Sequence, residues 1–325
     1  IRKWSVGTFS WTAYRKSGRT GIIGDDDMKI NGIKHVRRNR NKYAYILIAP
    51  GVILLTLIMI YPLIRGVLSS FFTQQPTSVA FGDFAGLQYY KELLSDDIFK
   101  RSLINSAIYT IVVVIAQYLI GLAIALLLNK NFKGRGIYRS LILIPWVVPG
   151  VSAAMTWKWM YDSQSGVINQ MLVKLGLITE NIDWLGSQSS ALFAVMVTSI
   201  WKAIPFVAIV ILATLQQVDV GLYEAVKIDG GRPIHEFRYI TLPGIKKISI
   251  TTILLETIWT FNQFDLIFTM TKGGPANSSM IVPVYTYLTS FNFFKTNKAA
   301  AIGVISLIIV SIPAVLYIHY NKKED

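Results

Sequence analysis

Thr252, Glu256, Trp259 and Gln263 recur at i, i+4, i+7 and i+11, so a helix through them presents a hydroxyl, a carboxylate, an indole and an amide on one face. The set offers an aromatic face for CH groups and hydrogen-bonding side chains for polar ones. Asn262 and Asp265 lie beside the face. Lys202, which follows Trp201 and precedes Pro205, is the other ionisable group in a long apolar stretch. Ionisable residues at membrane depth are costly and face a cavity or a partner. Trp201, Lys202, Glu256, Trp259, Asn262, Gln263 and Asp265 are therefore the candidate substrate-path residues. The alternative reading is structural: Trp259 packs against another helix, and Glu256 and Lys202 pair with each other or with a partner chain. Asn105 and Gln117 read more simply as amides that join helices, and Trp157 and Trp159 as an interfacial belt.

Catalytic constellations are missing. His35, His235 and His319 sit in separate regions and make no metal set. Without cysteine there is neither a disulfide framework nor a thiolate site. No GxxxxGK[ST] run is present to cradle nucleotide phosphates. The chain is expected to bind no metal or cofactor of its own and to be no enzyme.

The composition says where these residues sit. Of 325 residues 53% are hydrophobic and 15% charged, against about 25% charged in soluble domains. A bilayer core needs about 20 apolar residues in helix. Segments Tyr43–Ile64, Leu103–Leu128, Ile137–Met160, Ala191–Gln216, Ser249–Met270 and Ala299–Tyr320 meet or approach this, so an all-α polytopic membrane protein with about six transmembrane helices is expected. The third holds Pro145 and Pro149 and the fourth Pro205, and the backbone carbonyls they free need partners. Residues 281–294 are too short to span and read as a re-entrant or interfacial helix, or as an early entry into the sixth span.

Basic residues stay in the cytoplasm. Segments 1–42, 129–136, 217–248 and 321–325 hold 21 Lys and Arg; 65–102, 161–190 and 271–298 hold 8. Both termini are thus expected inside, with 1–42 a basic cytoplasmic tail, 43–320 the transmembrane domain and 321–325 a cytoplasmic end. Residues 1–27 read either as an extended tail or as an upstream translation product, and no secretory signal is evident. The charge of +14 is explained by topology, and a nucleic-acid partner gains no support from it.

The loop 217–248 stands apart. Val218 to Ile228 favours a short helix capped by Asp219. Gly230-Gly231 breaks it, Pro233 can open a second, and Pro243 is expected to end the segment. The bland reading is an amphipathic return loop. However, Glu224-Ala225-Val226, Asp229-Gly230-Gly231, Phe237, Ile240 and Leu242-Pro243 closely resemble the EAA loop of binding-protein-dependent ABC importers, with Val226 and Gly231 in place of the usual alanines. The resemblance implies a MetI-like type I importer permease fold. It also implies that Glu224, Ala225, Asp229, Gly230, Gly231, Phe237, Leu242 and Pro243 form a coupling helix seated on a separate ATPase subunit.

Further stretches resemble the sugar-importing branch, which includes maltose and glycerol-phosphate permeases. These are Phe84–Tyr90 before Phe99 and Asn105; Arg139, Pro145, Pro149, Trp157, Trp159, Gly166 and Asn169; and Trp259–Asp265 followed by Thr271–Pro275. The likeness covers roughly 43–320. It implies a second, related permease subunit, two ATPase subunits holding ATP and Mg, a solute-binding protein, an oligosaccharide substrate and a bacterial inner-membrane location. Residues 161–190 and 273–277 are placed outside to meet the binding protein. Lys202 and the basic outside residues hint at an acidic saccharide such as an alginate-derived uronate, and a neutral oligosaccharide fits nearly as well. An ion-gradient-driven secondary transporter or channel is the alternative; it would need a relay of charged residues across several spans. A membrane enzyme is the third class.

Overall fold

The computed structural model describes residues 45–75 and 81–321; the expected tail 1–42 and the last four residues lie outside them. The chain divides into two units, 1–62 and 63–325.

The described part of the first unit is apolar helix, the start of α1 (Tyr45–Ser69). Within α1, residues Thr56–Ile60 form a π turn closed by Tyr61 N–H on the Thr56 carbonyl. Pro62 follows directly. Proline has no N–H and its ring crowds the preceding turn, and one widened turn relieves both.

The second unit holds a short helix, α2 (Gln88–Ser95), and is built on two long ones, α3 (Asp97–Asn129) and α7 (Ala191–Leu215), that pack along each other. Asp96 starts α3 by accepting from the Ile98 and Phe99 N–H groups at 3.1 Å. At 33 residues α3 spans about 50 Å, longer than the ~30 Å apolar core of a bilayer. The helices approach at Gly121, where an added Cβ would lie 2.7 Å from Val207 Cγ1. Small residues at a crossing let backbones close up where the hydrophobic effect cannot drive association.

Between these two lie the pieces of the expected third span. Arg135–Val147 (α4) and Gly150–Met160 (α5) meet at 94° across Val148-Pro149. The prolines thus break the span rather than merely bend it. After α6 (Val167–Lys174) and α7 comes the loop, with α8 (Val220–Ile228) and α9 (Pro233–Glu236). A π turn, Phe237–Thr241, leads straight into α10 (Leu242–Phe261).

Pro243 was expected to end the loop segment, and it does not. The Leu242 N–H reaches back to the Phe237 carbonyl, and the widened turn absorbs the proline, so the chain stays helical from Pro233 to Phe261. The far end of the expected fifth span is cut at Asn262–Phe264, and Asp265–Met270 forms a separate α11.

Residues 281–294 are a short helix of their own, α12 (Val282–Tyr287) plus a π turn, before α13 (Thr296–Asn321). Its root is buried and pinned to α3. The Asn105 amide donates to the Ser278 and Met280 carbonyls at 3.0 and 2.9 Å, and Val282 N–H donates to Ser106 Oγ at 2.8 Å.

Among the described residues four helices (α1, α3, α7 and α13) are long and apolar enough to cross a membrane, and the bent pair makes a fifth. The fifth expected span, α10, is 20 residues long but carries Lys246, Lys247 and Glu256. One apolar core gathers Phe99, Tyr109, Val195, Leu266, Ile281 and Ile302. A second, at the end that carries α8, gathers Leu128, Ile211, Leu215 and Ile245. Trp157 belongs to the first core's packing: its ring lies 5.5 Å from those of Tyr161 and Trp201. Only Trp159, 80% exposed, keeps the character of a belt residue.

Candidate functional site

Two places gather the chemistry, and α10 joins them. The first is a cavity of about 160 Å³ between α3, α4, α7 and α10. Four of the sequence candidates line it: Lys202, Glu256, Trp259 and Gln263. Glu256 is 5% exposed, and its Oε2 accepts from Gln117 Nε2 at 2.7 Å. Gln117 is fully buried, and its Oε1 has no partner. The Tyr109 hydroxyl is hydrogen-bonded to Ser199 Oγ, and both residues line the cavity. One side is aromatic: Trp146 stacks on Phe206 at 6.2 Å, and Phe206 meets Trp259 edge-on at 5.3 Å.

Lys202 has a particular task. Its Nζ donates to the Val148 carbonyl at 2.5 Å and, more weakly, to that of Trp146 at 3.4 Å. These are carbonyls at the break between α4 and α5, where helix bonding is interrupted by Pro149. The ammonium thus closes the bend, and it makes no ion pair with Glu256 among the described residues.

Three candidates fall elsewhere. Trp201 packs edge-on against Trp157 in the core. Asn262 Nδ2 caps its own helix at the Ile258 carbonyl, 2.8 Å away, and the residue lines a separate cleft of about 810 Å³ with Phe264 and Tyr287. Asp265 is exposed in the first turn of α11, beside Gly150. The path residues that sequence reasoning passed over are Tyr109, Gln117, Trp146 and Phe206. For the α3 pair a signal existed: Tyr109, Val113, Gln117 and Gly121 repeat every four residues on one face.

The second place is the loop. Asp219 Oδ1 accepts from Gly221 N–H at 2.9 Å and starts α8. Gly230 follows α8 with φ +73°, a conformation glycine takes without steric cost. The Gly231 N–H closes on the Val226 carbonyl at 2.8 Å, so near that a Cβ at Gly231 would sit 2.3 Å from Val226 Cγ1. The His235 Nδ1 accepts from the Arg232 N–H at 3.1 Å and starts α9. Tyr223 Oη, 3.1 Å from Thr241 Oγ1, ties α8 to the π turn, and Val218 rests over Gly244.

No residue of α8 is buried. Glu224, Ala225, Asp229, Leu242 and Pro243 are exposed, and Phe237 and Gly231 half-buried. Among the described residues Glu224 and Asp229 form no ion pair. Leu222, Ile228 and Ile234 are 51%, 86% and 60% exposed, which is unusual for a surface whose purpose is only to return the chain.

A loop with an open apolar face, joined by an unbroken helix to a polar cavity among membrane-length helices, is the arrangement of a transport subunit. Residues 117–323 match the family described as binding-protein-dependent transport system inner membrane component. A trehalose/maltose transport system permease protein of Thermococcus litoralis is 34% identical over 287 residues, covering 86% of this chain and 94% of that protein. A sulfoquinovosyl glycerol transport system permease protein of Agrobacterium fabrum is 33% identical, covering 87% and 91%. Among solved structures, a bacterial ABC transporter involved in importing the acidic polysaccharide alginate aligns at a TM-score of 0.76, with 20% identity over 90% of this chain and 99% of that one.

The chain therefore belongs to the family of inner-membrane components of binding-protein-dependent transport systems. It is the permease subunit of an ABC transporter, a multi-pass membrane protein and not itself an ATPase. This sets aside the ion-gradient alternative and the membrane enzyme.

Proposed function

We propose that this chain is one of two related permease subunits of a sugar importer. Its loop 217–248 is cytoplasmic and seated on an ATPase subunit that holds ATP and Mg. A solute-binding protein delivers the sugar from the other side, and both termini are inside. The observation that carries the reading is the continuity of helix from Pro233 to Phe261, which puts the second half of the exposed loop and the cavity residues Glu256 and Trp259 on one rod. Sugar as the cargo is supported by the two relatives, whose substrates are a disaccharide pair and a sugar glycoside, and by the cavity's mix of aromatic faces with amides and hydroxyls. The likeness to the alginate importer is one of fold and carries no substrate. Lys202, the residue that had favoured an acidic saccharide, is engaged with two backbone carbonyls. A neutral, hydroxyl-rich oligosaccharide is accordingly the substrate proposed, with Glu256, Gln117, Gln263 and Trp259 facing it.

Gly230 gives the test. A Cβ there meets nothing within 4 Å, so a large side chain projects away from this chain and into whatever the loop is seated on. Gly230→Trp in the reconstituted complex is expected to abolish sugar import and the stimulation of ATP hydrolysis by the loaded binding protein, while the subunit still inserts in the membrane. Unchanged import and stimulation would overturn the coupling role.

A further inference from the structure

We propose that the groove between α3 and α4, at the end of the bundle that carries α8, holds an acyl chain of a phospholipid whose anionic headgroup is met by Lys130, Lys133 and Arg135. The groove measures about 460 Å³ and its walls are Ile124, Leu127 and Leu128 of α3 with Tyr138, Leu141 and Ile142 of α4. Phe132, in the turn between the helices, closes one end, its ring 5.7 Å from that of Tyr138. Leu127, Tyr138 and Leu141 are each more than half exposed, so this wall is open to an occupant. Almost all of the lining is hydrocarbon, which suits an acyl chain and not a sugar or a peptide.

Charge complementarity names the headgroup. Lys130 and Lys133 lie in the short turn that joins the groove's two helices, Arg135 opens α4, and all three are exposed. Arg135 reaches only the neutral Asn131 side chain, at 2.7 Å. Among the described residues none of the three forms an ion pair, and the sequence holds no Asp or Glu between Asp97 and Asp162. The next cation, Arg139, is turned inward: it donates to the Leu128 carbonyl at 3.1 Å and lies 2.6 Å from the Gln216 side-chain oxygen once that amide is oriented to accept. The three outer cations are thus left as an unopposed positive rim on an apolar slot, beside the aromatic pair Phe132 and Tyr138. Clusters of basic residues beside apolar helix ends attract anionic lipid. The leaflet rests on the orientation proposed above, whereas the preference for an anionic headgroup does not.

Native mass spectrometry of the assembled complex, exchanged into mixtures of phosphatidylglycerol and phosphatidylcholine, tests the site. At about fivefold per cation, three cations give a preference for phosphatidylglycerol on the order of a hundredfold. The Lys130→Gln/Lys133→Gln/Arg135→Gln variant is expected to lose most of that preference while keeping its fold, because all three side chains are exposed. Leu141→Trp, which fills the groove, is expected to lower occupancy by either lipid. Equal retention of both lipids by the native complex would overturn the proposal, as would an unchanged preference in the triple variant. So would efficient cross-linking from position 141 to another protein chain, which would make the groove a subunit interface. Failure of the native complex to import any sugar, with its lipid preference intact, would count against the transport reading and leave this one standing.

Discussion

Gln117 and Glu256 pose the sharpest question at the scale of the residue, because one hydrogen bond serves two readings. As glue, the pair satisfies two buried polar groups where α3 meets α10. As a binding element, it offers a second carboxylate oxygen and the unpartnered Gln117 Oε1 to a solute. Removing one partner of a buried pair leaves the other unsatisfied, which costs ~1–3 kcal/mol, whereas replacing both with apolar groups is nearly neutral. Glu256→Ala alone is therefore expected to lower thermal stability, and Gln117→Leu/Glu256→Leu to restore most of it. If the pair faces the sugar, the restored double variant still fails to import; import at the native rate would reduce the pair to glue.

The sequence made Glu256 conspicuous because a carboxylate in an apolar run must be explained. Gln117 was harder to weigh, since amides in membrane helices usually join neighbours. Trp146 and Phe206 were illegible for a different reason. Aromatic residues are ordinary in apolar spans, and only the bend at Pro149 turns Trp146 toward α7 and α10. Lys202 looked like a ligand until the carbonyls it closes were located. No reading of residue types gives the direction in which a broken helix points.

At the scale of the element, prolines were read with the right consequence but not always the right place. Pro149 stands at the break of the third span, whereas Pro62 and Pro243 are absorbed by π turns and leave their helices running. Both outcomes follow from the same missing N–H, and tertiary packing decides between them. The opposite end of the bundle shows a charged element at work. Asp96, which starts α3, accepts from Lys298 Nζ at 2.9 Å and from Tyr285 Oη at 2.5 Å, so one carboxylate ties α3, α12 and α13. Partial burial pushes its pKa up, but the hydrogen bonds from Tyr285, Lys298 and the Phe99 N–H, with the Lys298 charge, outweigh this and hold it below the ordinary 3.8. A carboxyl lowered on folding contributes stability at pH above its unfolded value and loses it as pH falls through the folded one. The native protein is thus expected to lose this contribution on acidification below about pH 4. Asp96→Asn, less stable at neutral pH, is expected to lack that part of the acid dependence. Parallel melting curves of the two proteins from pH 7 to pH 3 check it, and equal slopes would remove the latch.

On the scale of the whole molecule, the distance from Pro233 to Phe261 is about 42 Å if the π turn is neglected. A displacement at α9 has no flexible joint to cross before it reaches Glu256 and Trp259. Two glycines inserted between Thr241 and Leu242 would supply such a joint. That variant is expected to assemble with its ATPase and hydrolyse ATP while importing little or no sugar. Import at the native rate would show that the rod is not the transmitting part.

An unjointed rod also has a consequence in time. Where two sites are linked by loops, one can move first and the other follow, and a half-switched form can accumulate. Here the widened Phe237–Thr241 turn keeps the chain helical between α9 and α10, so the α9 end of the seat and the chamber should change within a single kinetic step. Probes placed at positions 234 and 259 would then report the same relaxation rate, with no lag between them.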